Sequence, residues 1–105
     1  MKYKLVYLPI AKKDIEAIFS YITEILYSPQ SALNLLESLE NAILRLKDFP
    51  FSYKKFESHH NLSFEYRVLV VKNYSVFYVV NGDTVEIHRV LYAKRNFDDL
   101  LEIES

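Results

Sequence analysis

Residues 66–92 read YRVLVVKNYSVFYVVNGDTVEIHRVLY, and this stretch decides the fold. Three runs in it, 66–71, 74–80 and 84–92, are dominated by Val, Ile, Leu, Tyr and Phe. β-branched and aromatic side chains of this kind fit a pleated, half-buried surface. Asn81-Gly82 stands between the second and third runs and predicts a type I′ turn, whose two central residues both need positive φ. Lys72-Asn73 separates the first two runs and reads as a second, weaker turn. Three strands joined by two tight turns make an antiparallel meander. The middle run, YSVFYVV, is apolar on both faces, as a central strand requires.

The first half of the chain has a different period. KYKLVYL (2–8) reads as a strand that Pro9 ends, and Pro9 suits the first turn of a helix. Ile15, Ile18, Phe19, Ile22, Ile25 and Leu26 then follow the spacing of an amphipathic helix. Ser28-Pro29 has the form of an N-cap with proline at the first helical position. Ala32, Leu35, Leu36, Leu39, Ala42, Ile43 and Leu46 mark one side of a second helix, which Pro50 is expected to stop. So short a connection predicts an antiparallel helix hairpin. Residues 48–64 show no period and read as a loop.

The expected fold is therefore α+β in the order β-α-α-β-β-β. An N-terminal strand and an antiparallel helix hairpin pack on a mainly antiparallel sheet, in one domain over residues 1–105. Ile18, Phe19, Ile22, Leu36, Leu39, Ile43, Val76, Tyr78 and Ile87 are the expected core.

Composition bounds the chemistry. Half of the 105 residues are hydrophobic and 26% are charged, as in ordinary globular domains. No apolar run is long enough to span a bilayer, and the N-terminus lacks the pattern of a signal peptide. There is no cysteine, which excludes disulfides and thiolate metal sites and fits a cytoplasmic location. Gly82 is the single glycine, so no Gly-rich phosphate loop exists. His59 and His60 are adjacent, and their side chains diverge on an extended chain. No metal or nucleophile motif supports them. No cofactor is expected.

The net charge is −1, against the basic excess usual in nucleic-acid binders. The charge is unevenly spread. Residues 51–97 carry seven basic and four acidic side chains, and residues 98–105 carry four acidic and none basic. Arg67 and Arg89 lie in strands, and Tyr92, Lys94 and Arg95 leave the last strand just before Phe97. A strand arginine must find a carboxylate, a ligand or solvent. Glu65 or Glu86 could pair with Arg67 and Arg89 across the sheet, or the cations could form an anion site. Metal-free RNA cleavage would need a base, an acid and phosphate-stabilising cations. His88, Tyr92 and the nearby Lys and Arg side chains are candidates, although His88 and Arg89 alternate and face opposite sides of the sheet.

The order of elements, the segments PIAKKDIEAIFSYI and LKDFP, and above all YRVLVVKNYSVFYVVNGDTVEIHRVLYAKRNFDDLL resemble the RelE/ParE superfamily of bacterial toxins from type II toxin–antitoxin modules. The resemblance covers nearly the whole chain and is strongest over residues 66–101. It implies a small cytoplasmic protein neutralised by a cognate antitoxin. It also implies one of two targets: DNA gyrase for ParE-like members, or the ribosome with its mRNA, cleaved in the A site, for RelE-like ones. Arg67 falls where RelE-like nucleases place a strand cation. Leu69 and Ser75 occupy positions where such nucleases carry further basic residues, and Phe97 lies near another. Tyr92, Lys94 and Arg95 look more like the ParE-like exit. The resemblance thus favours a gyrase poison over a ribosome-dependent endoribonuclease, with a non-toxic binding module of the same fold as a further alternative. The acidic tail is expected to form a short helix over 97–103.

Overall fold

The computed structural model describes residues 2–57, 62–93, 97 and 101. Strand β1 (Lys4–Tyr7) leads into helix α1 (Pro9–Ser20), and helix α2 spans Pro29–Leu44. Strands β2 (Arg67–Val71), β3 (Tyr74–Asn81) and β4 (Thr84–Tyr92) follow. The sheet order is β1-β4-β3-β2. β1 runs parallel to β4, and the other two pairings are antiparallel. The architecture is the expected α+β one, and β3 is a central strand with Ser75 to Val79 buried.

Each helix opens on a proline at its first positions, where a missing N–H costs nothing. Neither N-cap side chain bonds the backbone. The Ser28 hydroxyl, expected as a cap, instead donates to Ser31 Oγ at 2.7 Å. α2 ends at Leu44 and tightens into a 3₁₀ turn, Arg45–Lys47, before Pro50 is reached.

The first helix departs from its sequence pattern in one respect. After Ser20 it becomes a π-helical turn, Tyr21–Ile25, with the Leu26 N–H donating to the Tyr21 carbonyl at 3.2 Å. The wider turn rotates later side chains away from the α-helical stripe. Ile22 stays buried, but Ile25 and Leu26, expected on the inner face, are more than half exposed.

The sheet buries apolar residues on both faces. On the helix side Ala11, Ile22, Leu35, Leu39, Ile43, Leu46, Val76, Tyr78 and Ile87 form the main core, with Ile18 and Phe19 packed against it. Leu36 is only half-buried and belongs to neither cluster, because the α2 stripe runs through Ala32, Leu35 and Leu39 and leaves Leu36 to one side. On the opposite, open face Tyr66, Phe77, Val79, Leu91 and Leu101 form a second cluster, with Phe56, Val68 and Phe97 against it. Of the expected tail helix, Phe97 and Leu101 are helical and the other residues lie outside the described ones. His59 and His60 lie outside them too.

Both hairpins close with two-residue turns, Lys72-Asn73 and Gly82-Asp83. The second turn is one residue later than expected, because Asn81 still pairs with Thr84 in the ladder. Only its first central residue, Gly82, has positive φ, at 61°. The I′ form expected from Asn81-Gly82 is therefore not the one adopted. A Cβ built on Gly82 would meet nothing within 4 Å, so any cost of substitution is in the backbone alone. Gly82→Val is expected to lower stability by roughly 1 kcal/mol or more, since a β-branched residue resists this conformation. Gly82→Asn should cost less, because Asn tolerates positive φ. Urea unfolding of the two variants checks the order.

Candidate functional site

β4 carries a β-bulge. Tyr78 pairs with Ile87 and Phe77 with Arg89, leaving His88 as the extra residue. Ile87 and Val90 consequently both reach the helix-side core, although three positions apart, which a regular strand of period two cannot do. Leu91 then falls in the open-face cluster.

The bulge sorts the two central candidates onto different networks, as their alternation predicted. Arg89 reaches α1. Its Nε and Nη2 donate to the two Asp14 carboxylate oxygens at 2.8 and 2.9 Å, and the Val90 N–H donates to Asp14 Oδ2 at 3.0 Å. This is a bidentate, largely buried pair. The carboxylate partner comes from 75 residues away, not from Glu65 or Glu86 across the sheet. Glu65 instead pairs with Lys55 at 3.2 Å.

His88, buried, sits between Glu86 and Tyr66. Its Nε2 lies 3.1 Å from Glu86 Oε1, and its Nδ1 lies 3.3 Å from the Tyr66 hydroxyl. A carboxylate only accepts, so in the neutral ring Nε2 carries the proton and Nδ1 accepts from the phenol. Phe64 covers the imidazole edge-on, with ring centroids 4.9 Å apart. The histidine is thereby committed to an internal chain.

Arg67 begins β2 and is held down. Nη1 donates to the Tyr53 carbonyl at 2.7 Å, and the guanidinium lies 5.0 Å from the centre of the Phe51 ring. It is therefore a half-buried anchor for the preceding loop and not an exposed cation, so its replacement would also affect stability. The next residue on the same face of β2, Leu69, is buried, and so is Ser75 on β3.

Tyr92 closes β4, its ring against Tyr74 with centroids 5.6 Å apart. The Tyr74 phenol is pushed above its ordinary pKa by burial first, then by its neighbours Tyr92 and Tyr21. Both tyrosines line a cleft of about 830 Å³ between the helices and the sheet, with the Asp14–Arg89 pair and Leu35 in its wall. Lys94 and Arg95 lie outside the described residues. Arg67 pairs with Tyr78 and Tyr92 with Tyr74, so they are separated by four residues of β3, roughly 13 Å. Arg67, His88 and Tyr92 thus do not converge. Among the described residues no group of His, Asp and Glu is arranged to hold a metal ion, and no helix is long and apolar enough to cross a membrane.

The fold is one found among toxin–antitoxin proteins. A chain from the chromosomal ParDE toxin–antitoxin system of P. aeruginosa superposes with a TM-score of 0.73 at 19% identity, covering 89% of this chain and 98% of that one. A chain of the E. coli DinJ-YafQ toxin–antitoxin complex gives 0.55 at 14% identity, covering 88% and 93%. At these identities the likeness is one of fold. No curated protein matches the sequence significantly. The family model of the ParE toxin of the type II toxin–antitoxin system parDE matches residues 5–97. The chain belongs to this family of toxins, within the RelE/ParE superfamily.

Two outcomes test the internal networks. Asp14→Ala is expected to cost roughly 3–5 kcal/mol in urea unfolding, since it removes the bidentate carboxylate of a buried guanidinium, and Asp14→Leu combined with Arg89→Met should recover much of the loss. The second outcome concerns Tyr78, which is fully buried and donates its hydroxyl to the Pro50 carbonyl at 2.7 Å. Burial pushes this phenol up to about 12, against the opposing charge of Arg67. The unfolded phenol ionises near 10, so between pH 10 and 12 the folded chain holds the extra proton. The stabilisation is complete below pH 10 and is lost as pH rises through 12. Over that window the parent should lose about 2 kcal/mol more than Tyr78→Phe in parallel urea titrations.

Proposed function

We propose that this toxin poisons DNA gyrase and is held in check by a cognate antitoxin. One observation carries the choice of target. Among the described residues, the open face of the sheet is apolar, and the one histidine on it is locked between Glu86 and Tyr66. Cleaving RNA without a metal needs cations at the phosphate and free acid–base groups. Arg67 and Arg89 are instead engaged by Tyr53 and Asp14, and Leu69 and Ser75 are neutral and buried. Family membership supports the same reading. The antitoxin is inferred from that membership and from the two structural relatives, which come from toxin–antitoxin systems. We read the chain as one domain acting in the cytoplasm, where gyrase works, through Tyr92 and the segment after it that carries Lys94 and Arg95.

Expression of the chain alone is expected to stop bacterial growth, and co-expression of the adjacent reading frame to restore it. Normal growth with folded protein present would reject the toxin reading and favour a non-toxic binding module. Purified protein should block gyrase-dependent supercoiling or accumulate cleaved DNA, and should leave mRNA on translating ribosomes uncut. Lys94→Ala with Arg95→Ala should weaken the gyrase effect while the urea midpoint stays near that of the parent. New A-site cuts with an unaffected gyrase would establish the ribosome-dependent alternative.

A further inference from the structure

Strand β2 is one edge of the sheet, and only its first half is covered. Val71 pairs with Tyr74 across a two-residue turn. The odd residues of β2 therefore bond to β3, and the even ones direct their N–H and C=O groups outward. The start of the strand follows this alternation. The Tyr66 carbonyl accepts from the Phe56 N–H at 2.8 Å, and the Val68 N–H donates to the Lys54 carbonyl at 3.1 Å. Residues 54–56 thus lie along β2 as a short antiparallel partner, bridged at Lys55 and Arg67. Among the described residues nothing continues this lane past Val68. The next outward residue is Val70, whose N–H and C=O meet no group of the described residues and whose side chain is 63% exposed.

Open sheet edges are normally blunted by lysine, by proline or by a bulge. Leu69–Val71 has none of these. Beside it runs a groove of about 630 Å³, with Asn41, Ala42 and the following Arg45 on one side and Leu69, Val70 and Val71 on the other. No carboxylate lines this groove. Arg45 is exposed and has no ion-pair partner among the described residues. Glu37 stands two helical turns before it, roughly 12 Å away. Lys54 is also exposed and unpaired among the described residues. It lies opposite Val68, and cross-strand neighbours share a face, so its side chain is on the open side of the sheet. Lys55 is held by Glu65 and takes no part.

We propose that the uncovered half of β2 receives an extended, acidic segment of the cognate antitoxin as a fifth strand of the sheet. The segment exchanges backbone hydrogen bonds with Val70, in the lane that residues 54–56 occupy lower down. Its side chains alternate. Those on the helix side enter the groove, where a carboxylate meets Arg45, and those on the open side cover Val70 and reach Lys54. Charge selects this occupant. A second copy of this chain would set the same patch against itself and oppose like cations across a two-fold axis. An apolar helix would fill the groove but leave the Val70 backbone groups unpaired. An extended segment with carboxylates answers both the edge and the cations. The proposal rests on the toxin–antitoxin reading and not on the choice of gyrase as target.

The test titrates the full chain with the product of the adjacent reading frame by calorimetry and follows amide exchange by NMR. Val70→Pro removes the outward N–H and sets a ring in the path of the strand, at an edge position where the β2–β3 ladder loses no bond. It should weaken binding about tenfold or more, and Val70→Ala, which keeps the N–H, about threefold or less. Arg45→Glu should also cost about tenfold, and Arg45→Lys much less. In the parent complex the Val70 amide should exchange about tenfold or more slowly than in the free chain, a reading that needs no variant to fold. Circular dichroism checks that Val70→Pro keeps the parent fold, and sedimentation of the chain alone should give a monomer. Parent-like binding by Val70→Pro and Arg45→Glu, with the Val70 amide unprotected, overturns the strand and leaves the antitoxin reading intact. Weakening by Arg45→Glu without protection at Val70 shows a charge contact and no strand, and overturns it too. No binding by the adjacent product removes both readings. A dimer of the free chain that Val70→Pro dissolves gives the edge to a second copy and overturns the proposal.

Discussion

The extra residue in β4 and the carboxylate that answers it organise the rest of this domain. A β-bulge inserts an extra residue into one strand and changes which way the residues beyond it face. Just past the bulge, Asp14 accepts from the Val90 N–H and grips the neighbouring Arg89 through both of its oxygens. One carboxylate thereby ties α1 to β4. The bulge also passes Val90 to the helix-side core and Leu91 to the open face. Without it, Val90 and Leu91 would exchange faces.

The same economy governs the remaining polar groups. Tyr78 and Arg67, partners across β2 and β3, each hold one carbonyl of the loop that follows α2. Glu86 and Tyr66 hold His88 from its two nitrogens. Buried polar groups of this kind are costly unless paired, and here the pairing uses up side chains that chemistry would otherwise claim. A domain whose strand cations are committed internally is suited to recognising a partner by surface shape, and less to moving protons on a bound phosphate. Its exposed features are accordingly at the margins: the hairpin tip around Tyr21 to Tyr27, the strand exit at Tyr92, and the aromatic turn around Pro50.

Much of this was legible in the residues alone. The three strands of residues 66–92 and the two proline-initiated helices follow from local composition and period, which depend on near neighbours. Six of the nine expected core residues are buried in the helix-side cluster, and Ile18 and Phe19 border it. The exceptions have physical causes. Ile25 and Leu26 left the buried stripe because the helix widened by one residue at Tyr21. Leu36 yielded to Leu35 because a helix can direct only one stripe inward. The turn slipped to Gly82-Asp83 because the ladder extended to Asn81 and placed the glycine where positive φ was needed.

The site was legible only in part. Sequence alone determined that Arg67, His88, Arg89 and Tyr92 lie on strands of one small sheet, that His88 and Arg89 face apart, and that the fold resembles that of the RelE/ParE toxins. Tertiary structure alone decided what those side chains hold. Asp14 meets Arg89 across 75 residues, and no local pattern encodes such a pairing, because it depends on a bulge in one strand and the height of one helix turn above it. The free end of the β2 edge likewise reads as ordinary strand until residues 54–56 are seen to cover only its other half. Period and propensity are set by the nearest few residues, whereas the partner of a buried charge is set by whichever distant element the packing brings within 3 Å.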